Sequence, residues 1–313
     1  MSALSVDPLW PRAGDWPAPD ATTIPDAVLL GVPAWRTSLS PTGAGETPAA
    51  VRDALRRYSP TLLGPPPLDL NAALRIVDAG DVDEPDGREG EARVRASVEN
   101  LSAAGLVIAL GGDNSATYAV AQGRGARGLI TLDAHFDLRD GESNGSPVRR
   151  LIADGLDPRR IVQIGIADFA NSAAYAQRAL DAGITVITLD EVRRRGIDDV
   201  VAEALRVAGG ASLDAISDGP RPDPAGTPPA GIHLDIDVDV CDRSVAPGCP
   251  ASVPGGLAAW ELRGLVRGLA RDSGVISADI VEVDATADAP DARTVRLAAL
   301  CVLELLAGLA ERR

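Results

Sequence analysis

Thr131–Asp140 reads TLDAHFDLRD, and about a hundred residues later His233–Gly248 reads HLDIDVDVCDRSVAPG. The first stretch follows the apolar run Gly128-Leu-Ile-Thr-Leu132, which predicts a buried strand. It places Asp133, His135 and Asp137 at i, i+2 and i+4. In a continued strand those side chains point to one side. The second stretch puts His233, Asp235, Asp237 and Asp239 on one face in the same way. Carboxylates crowded onto one face of apolar strands repel one another, and burial without partners is costly. A bound cation removes that cost. Oxygen donors with one imidazole suit a hard or borderline divalent ion, Mn2+ or Mg2+ ahead of Zn2+. A lone DxD reads as a solvated acidic strand end. Two such strands, one with a histidine between its carboxylates, point to a metal centre.

Outward from these stretches, apolar runs alternate with helical patterns. Strands are predicted at Ala27–Gly31, Leu74–Asp78, Leu106–Leu110, Leu129–Leu132, Ile161–Ile166, Thr185–Leu189, Ile232–Asp239 and Val275–Val283. Helices are predicted from Thr47-Pro48 onward, over Gly87–Ala103, Ser115–Gln122, from Pro147, and over Ala173–Ala182, Ile197–Val207, Trp260–Asp272 and Thr294–Arg312. Strands apolar throughout, alternating with helices, imply a three-layer α/β/α architecture with a mostly parallel sheet of about eight strands. In such sheets ligands sit beyond the carboxyl ends of the strands. Each acidic or glycine-rich cluster begins where an apolar run finishes. The whole chain, 1–313, is expected to form one domain, with an irregular N-terminal arm (1–24) and a long surface loop rich in Gly, Pro and Asp (208–231). Gly123–Gly128 spells a literal GxGxxG but precedes a strand, so the dinucleotide-binding context fails.

Composition excludes several classes. The formal net charge is −15 and every cation is Arg, so nucleic acid and anionic membranes are disfavoured partners. Aromatic residues are 3% of the chain, which leaves aliphatic residues to fill the core. Cys241, Cys249 and Cys301 make no disulfide framework and fit a reducing cytoplasm. The first twenty residues have neither the basic nor the apolar region of a signal peptide. No uncharged apolar run reaches the roughly 18 residues that a membrane span needs.

The motifs carry a family resemblance. DAHFD at 133–137 resembles the DAHxD signature of the ureohydrolases: arginases, agmatinases and formimidoylglutamases. The 233–248 stretch resembles their HLSxDxDxxDPxxxPG segment, Gly111–Ser115 (GGDNS) their GGDHS, and Asp279–Asp284 (DIVEVD) their (D/E)xVExNP. GVP…GAGETPAAVR near the N-terminus resembles their first strand–loop–helix. The matches fall in family order. They imply an arginase-like fold and a manganese pair: Asp133 and Asp237 bridge two ions, Asp137 completes one shell, and His135 and Asp239 complete the other. Asn114 stands where the family has a histidine ligand. It is expected to coordinate through its weaker amide oxygen, with a single bound ion as the alternative. Asp235 takes a family serine position and is not assigned as a ligand. His233 is expected below the site as a hydrogen-bonded core histidine.

By the same resemblance, a metal-activated water attacks an amidine carbon, Asp137 carries the proton, and Glu282 holds the cationic amidine. Asn144 occupies the position of an arginase histidine, and Ala170 that of the aspartate recognising an α-amino group. Both weigh against arginine as substrate. Ser146 and Arg149, in SNGSPVRR, are candidate substrate contacts, with Arg139 and Arg150 nearby as forks for carboxylate. The expectation is a cytoplasmic hydrolase of N-formimidoyl-L-glutamate, assembled as a trimer or hexamer. An agmatinase or other guanidino-compound hydrolase, and a catalytically silent relative that binds metal, are the alternatives.

Overall fold

The computed structural model of the chain describes residues 7–20, 22–210 and 231–312. In chain order its elements are β1 (Ala27–Val32), α1 (Thr47–Leu55), β2 (Thr61–Leu62), β3 (Leu68–Asp69), α2 (Leu70–Ala73), β4 (Ile76–Asp81), α3 (Gly87–Asn100), β5 (Leu106–Gly111), α4 (Ser115–Gly123) and β6 (Gly128–Leu132). There follow α5 (Pro147–Ala153), β7 (Ile161–Ile166), α6 (Ala173–Ala182), β8 (Thr185–Thr188), α7 (Leu189–Arg195), α8 (Ile197–Ala208), β9 (Ile232–Asp237), α9 (Ala259–Ala270), β10 (Val275–Val281) and α10 (Arg293–Glu311). The predicted loop 208–231 falls mainly on residues outside those described.

Eight strands form one sheet in the order β4-β1-β5-β10-β9-β6-β7-β8, and every pairing is parallel. Its strands bury every residue in runs such as AVLLGV (β1), LVIALG (β5) and IVQIGI (β7). Helices cover both faces, which is why these strands do not alternate apolar with polar. Leu29 packs into a layer with Val51 of α1, Val200 of α8, Leu262 of α9 and Leu305 of α10. Its neighbour Leu30 points the other way, to Val94 and Val98 of α3 and Val120 of α4. The three-layer α/β/α expectation is therefore met. Among the described residues no helix is long and apolar enough to cross a membrane.

Strand order positions the site. β5, β10, β9 and β6 are consecutive neighbours at the centre of the sheet. Because all four are parallel, their carboxyl ends open at one edge and deliver Asn114, Glu282, Asp237 and Asp133 to the same place. The strand face expected to carry the acidic residues is cut short in both stretches. β6 ends at Leu132, so Asp133–Asp137 form a loop, and Asp137 has a left-handed φ of 52°. β9 ends at Asp237, where Val238–Val240 turn as a 3-10 segment and Asp237 Oδ1 accepts the Asp239 amide at 2.8 Å. The alternation rule thus fails beyond Asp133 and Asp237. Loop geometry, not strand pleat, aims Asp137 and Asp239. Helix α7 was missed by pattern, though Thr188 and Glu191 form a full capping box at its start.

Gly112 makes the closest approach to backbone at this edge. A Cβ there would lie 1.8 Å from the Ala34 carbonyl oxygen, and the Asp113 amide bonds that same oxygen at 2.8 Å. Gly112→Ala is expected to destabilise the fold by roughly 3 kcal/mol in denaturant unfolding, since backbone rather than a flexible side chain blocks it. An unchanged midpoint would show that the loop after β1 yields.

Candidate metal centre

The centre is built from buried carboxylates around one half-buried histidine. His135 Nδ1 lies 2.7 Å from Asp239 Oδ2 and 3.5 Å from Asp133 Oδ1. Donor atoms of Asp133, His135 and Asp239 all fall within 4.8 Å of one another, close enough for one ion. The Asp133 Oδ2 atom is buried with no hydrogen-bond partner. An orphaned carboxylate oxygen beside an imidazole and a second carboxylate is the donor chemistry a divalent ion takes. These residues fit the metal.

Electrostatics give the same message. Burial, with Asp239 repelling, pushes the Asp133 carboxyl up to about 7. Burial also raises Asp137, with Asp133 adding to it, and Asp237, with Asp239 adding to it, both well above the usual carboxylate range. Burial works against a charge on His135, but Asp239 and Asp133 outweigh it and push the imidazole up to about 12. For Asp239 burial acts upward, and the His135 charge overrides it and holds the carboxyl low. The cluster therefore demands positive charge. A proton on His135 meets part of that demand, and a divalent ion would meet more.

Asn114 bonds the neighbouring carboxylates Asp137 and Asp237. Its Nδ2 donates to Asp137 Oδ2 and, at 3.4 Å, to Asp237 Oδ2. Its Oδ1 accepts from Thr117 Oγ1 at 2.6 Å. The amide thus shows the carboxylates its nitrogen, whereas coordination through oxygen requires the amide to turn over and release Thr117.

Glu282 follows β10 with a φ of 61°. One of its oxygens accepts both the Asn114 amide at 2.8 Å and Asn144 Nδ2 at 2.9 Å. Burial, with Asp113 repelling, raises it to about 8. Glu282, Asn144, Asp137, Asp237, Asp239 and His135 line one cleft of about 230 Å³. Ser146 and Arg149 do not reach it: Ser146 Oγ bonds the Ser143 backbone, and Arg149 bonds the carbonyls of Arg139 and Gly141. Arg150 is turned away, paired to Glu91 and stacked over Tyr118. Pattern reading also passed over Asn171. Its amide donates to the Ala134 carbonyl at 2.8 Å and accepts the Phe136 amide at 3.2 Å, tying down the DAHFD loop. An Asn in the loop after a strand was the available signal.

One storey below, a polar row crosses the sheet. Gln163, Thr131, Asp235 and Asp279 are register partners on β7, β6, β9 and β10, all buried. Each carries a buried oxygen without a partner, and Asp235 carries two. Burial, with Asp279 beside it, raises the Asp235 carboxyl well above the usual range. His233 bridges Ser277 at 2.9 Å and Asp279 at 3.1 Å, a hydrogen-bonded core histidine.

The arginase-family profile matches residues 25–308. The chain belongs to the arginase family. It is 36% identical over 298 residues to a formimidoylglutamase of Halalkalibacterium halodurans, covering 90% of this chain and 86% of that one. It is 33% identical over 298 residues to a guanidinopropionase of Pseudomonas aeruginosa, with 90% and 86% covered. The solved formimidoylglutamase of Bacillus subtilis superposes with a TM-score of 0.85 at 31% identity, covering 99% of this chain and 95% of that one. The formiminoglutamase of Trypanosoma cruzi, solved with Mn2+, superposes at 0.82 and 24% identity over 97% and 100% of the chains, and shares the fold.

Two predictions follow from this geometry. Asp133 and Glu282 sit near 7 and 8 in the fold against ordinary values of 3.8 and 4.5. The metal-free fold therefore keeps protons that the unfolded chain releases, and it loses stability as pH rises from the ordinary carboxylate range through the raised values. A divalent ion takes the place of those protons. Mn2+ is expected to raise Tm more at about pH 8 than at about pH 6, and an equal gain at both would contradict the raised carboxyls. Asn114→His is expected to hold more manganese through dialysis than the parent, read by elemental analysis. Equal retention would show that position 114 stands outside the coordination shell.

Proposed function

We propose that the chain hydrolyses N-formimidoyl-L-glutamate to L-glutamate and formamide, using a manganese pair held by Asp133, His135, Asp137, Asp237 and Asp239, with Asn114 turned to offer its oxygen. The likeness to formimidoylglutamases over nine-tenths of the chain carries this reading. It weighs against a catalytically silent relative. Metal bound there lowers the pKa of a coordinated water and makes hydroxide available near neutral pH.

The rest of the work falls to side chains. The Asn114 amide and the Asn144 side chain aim Glu282 into the cleft. Burial favours a proton on this carboxyl, so an incoming amidinium displaces that proton and leaves a charge-assisted pair. Water adds to the amidine carbon, and the bond from that carbon to the glutamate nitrogen breaks. Asp137 holds the proton surrendered by the water and returns it to the departing nitrogen. The left-handed backbone at Asp137 keeps this carboxyl at the cleft wall. Leu39, Phe136, Leu138 and Pro250 give that wall an apolar side. A cytoplasmic location and assembly of several copies belong to the same reading.

A guanidino acid is the second reading, favoured by the likeness to a guanidinopropionase. Product separates the two: formamide from the first substrate, urea from the second. With Mn2+ present, purified protein is expected to release formamide from N-formimidoyl-L-glutamate faster than urea from agmatine, guanidinobutyrate or guanidinopropionate. Urea release with no formamide would transfer the assignment. Asp137→Asn is expected to lower kcat by roughly 10²- to 10⁴-fold.

A further inference from the structure

From Arg139 to Arg150, in the loop before α5 and the start of that helix, runs a series of charges, and all but one are engaged. Asp140 pairs with Arg178 at 3.0 Å and Glu142 with Arg88 at 2.7 Å. Arg149 is held by two carbonyls, and Arg150 by Glu91 and the Tyr118 ring. The exception is Arg139. Its guanidinium makes no hydrogen bond or ion pair among the described residues, yet its side chain lines the cleft that holds Glu282 and Asp137. It is the sole arginine there among the described residues.

Its seat is built. The Arg139 amide donates to the Gly145 carbonyl at 2.9 Å, which pins the backbone. The stem lies on Gly145, where a Cβ would come within 2.7 Å of Arg139 Cδ, 3.3 Å of its Nε and 3.1 Å of Leu39 Cδ1. Asn144, the adjacent residue, reaches the opposite pole and donates to Glu282. One dipeptide thus touches both the acidic floor of the cleft and its cationic rim.

We infer that Arg139 is the specificity-determining residue of the cleft, engaging a carboxylate of the substrate at the rim while the amidine lies against Glu282. A cleft with acidic floor and cationic rim fits a molecule cationic at one end and anionic at the other. N-formimidoyl-L-glutamate and guanidino acids have that polarity. Agmatine, cationic at both ends, meets repulsion from Arg139. The inference deepens the proposed function and rests on it for which end of the substrate enters first.

The test compares the parent with Arg139→Gln, Arg139→Lys, Arg139→Glu and Gly145→Ala, all loaded with Mn2+. A lost charge-assisted bond to carboxylate predicts a KM for N-formimidoyl-L-glutamate raised roughly 10- to 100-fold in Arg139→Gln, with kcat little changed. Arg139→Lys is expected to recover part of the loss. Gly145→Ala is expected to raise KM by displacing the arginine, and to add little on top of Arg139→Gln. Arg139→Glu is expected to shift the agmatine-to-formimidoylglutamate ratio of kcat/KM toward agmatine. A kcat loss with KM unchanged, or no shift in that ratio, overturns the inference. Calorimetry with L-glutamate provides a separate arm that needs no turnover. Weaker binding to Arg139→Gln than to the parent supports the anchor, and equal binding overturns it. A parent that binds glutamate through Arg139 but releases no formamide would sink the proposed function and leave the anchor standing.

Discussion

Like charges brought together out of water govern this molecule. Asp133, Asp137, Asp237, Asp239 and Glu282 are all buried and converge from the ends of β6, β9 and β10. In a dry setting such a group stays ionised only if something positive stands among it. His135 meets a fraction of that need. The parallel sheet explains why the group can exist: consecutive parallel neighbours open at one edge, so short loops suffice to gather the side chains. The apolar strand bodies supply the stability that this acidic edge takes away.

Much of this was legible in the sequence, and for physical reasons. Buried parallel strands are apolar throughout, so runs such as LVIAL and IVQIGI announce themselves. Because ligands gather beyond strand ends, the residues just after those runs were the place to look. The illegible part lies where chain direction changes. Asp137 follows a strand that has already stopped and sits in a left-handed conformation, which no alternation rule foresees. Arg139, Arg149 and Arg150 look interchangeable on paper. Which is engaged elsewhere depends on Glu91, Tyr118 and the loop carbonyls, contacts set by the tertiary fold.

Asn114 shows the limit of carrying a motif over. A single change from the family pattern turns a nitrogen ligand into a group with a donor end and an acceptor end. Here the donor end cross-links Asp137 and Asp237 while Thr117 holds the acceptor end. Such an amide offsets carboxylate repulsion without supplying a positive charge, so one side chain can both substitute for an ion and, reversed, bind it.

The polar row of Gln163, Thr131, Asp235 and Asp279 bears on attempts at redesign. Side chains at the rim take their positions from the strands that carry them, and at this level those strands bury unsatisfied oxygens rather than hydrocarbon. Grafting a foreign coordination set onto the upper level alone would leave the old foundation in place. Tailoring the centre to a chosen ion would mean rebuilding both levels together.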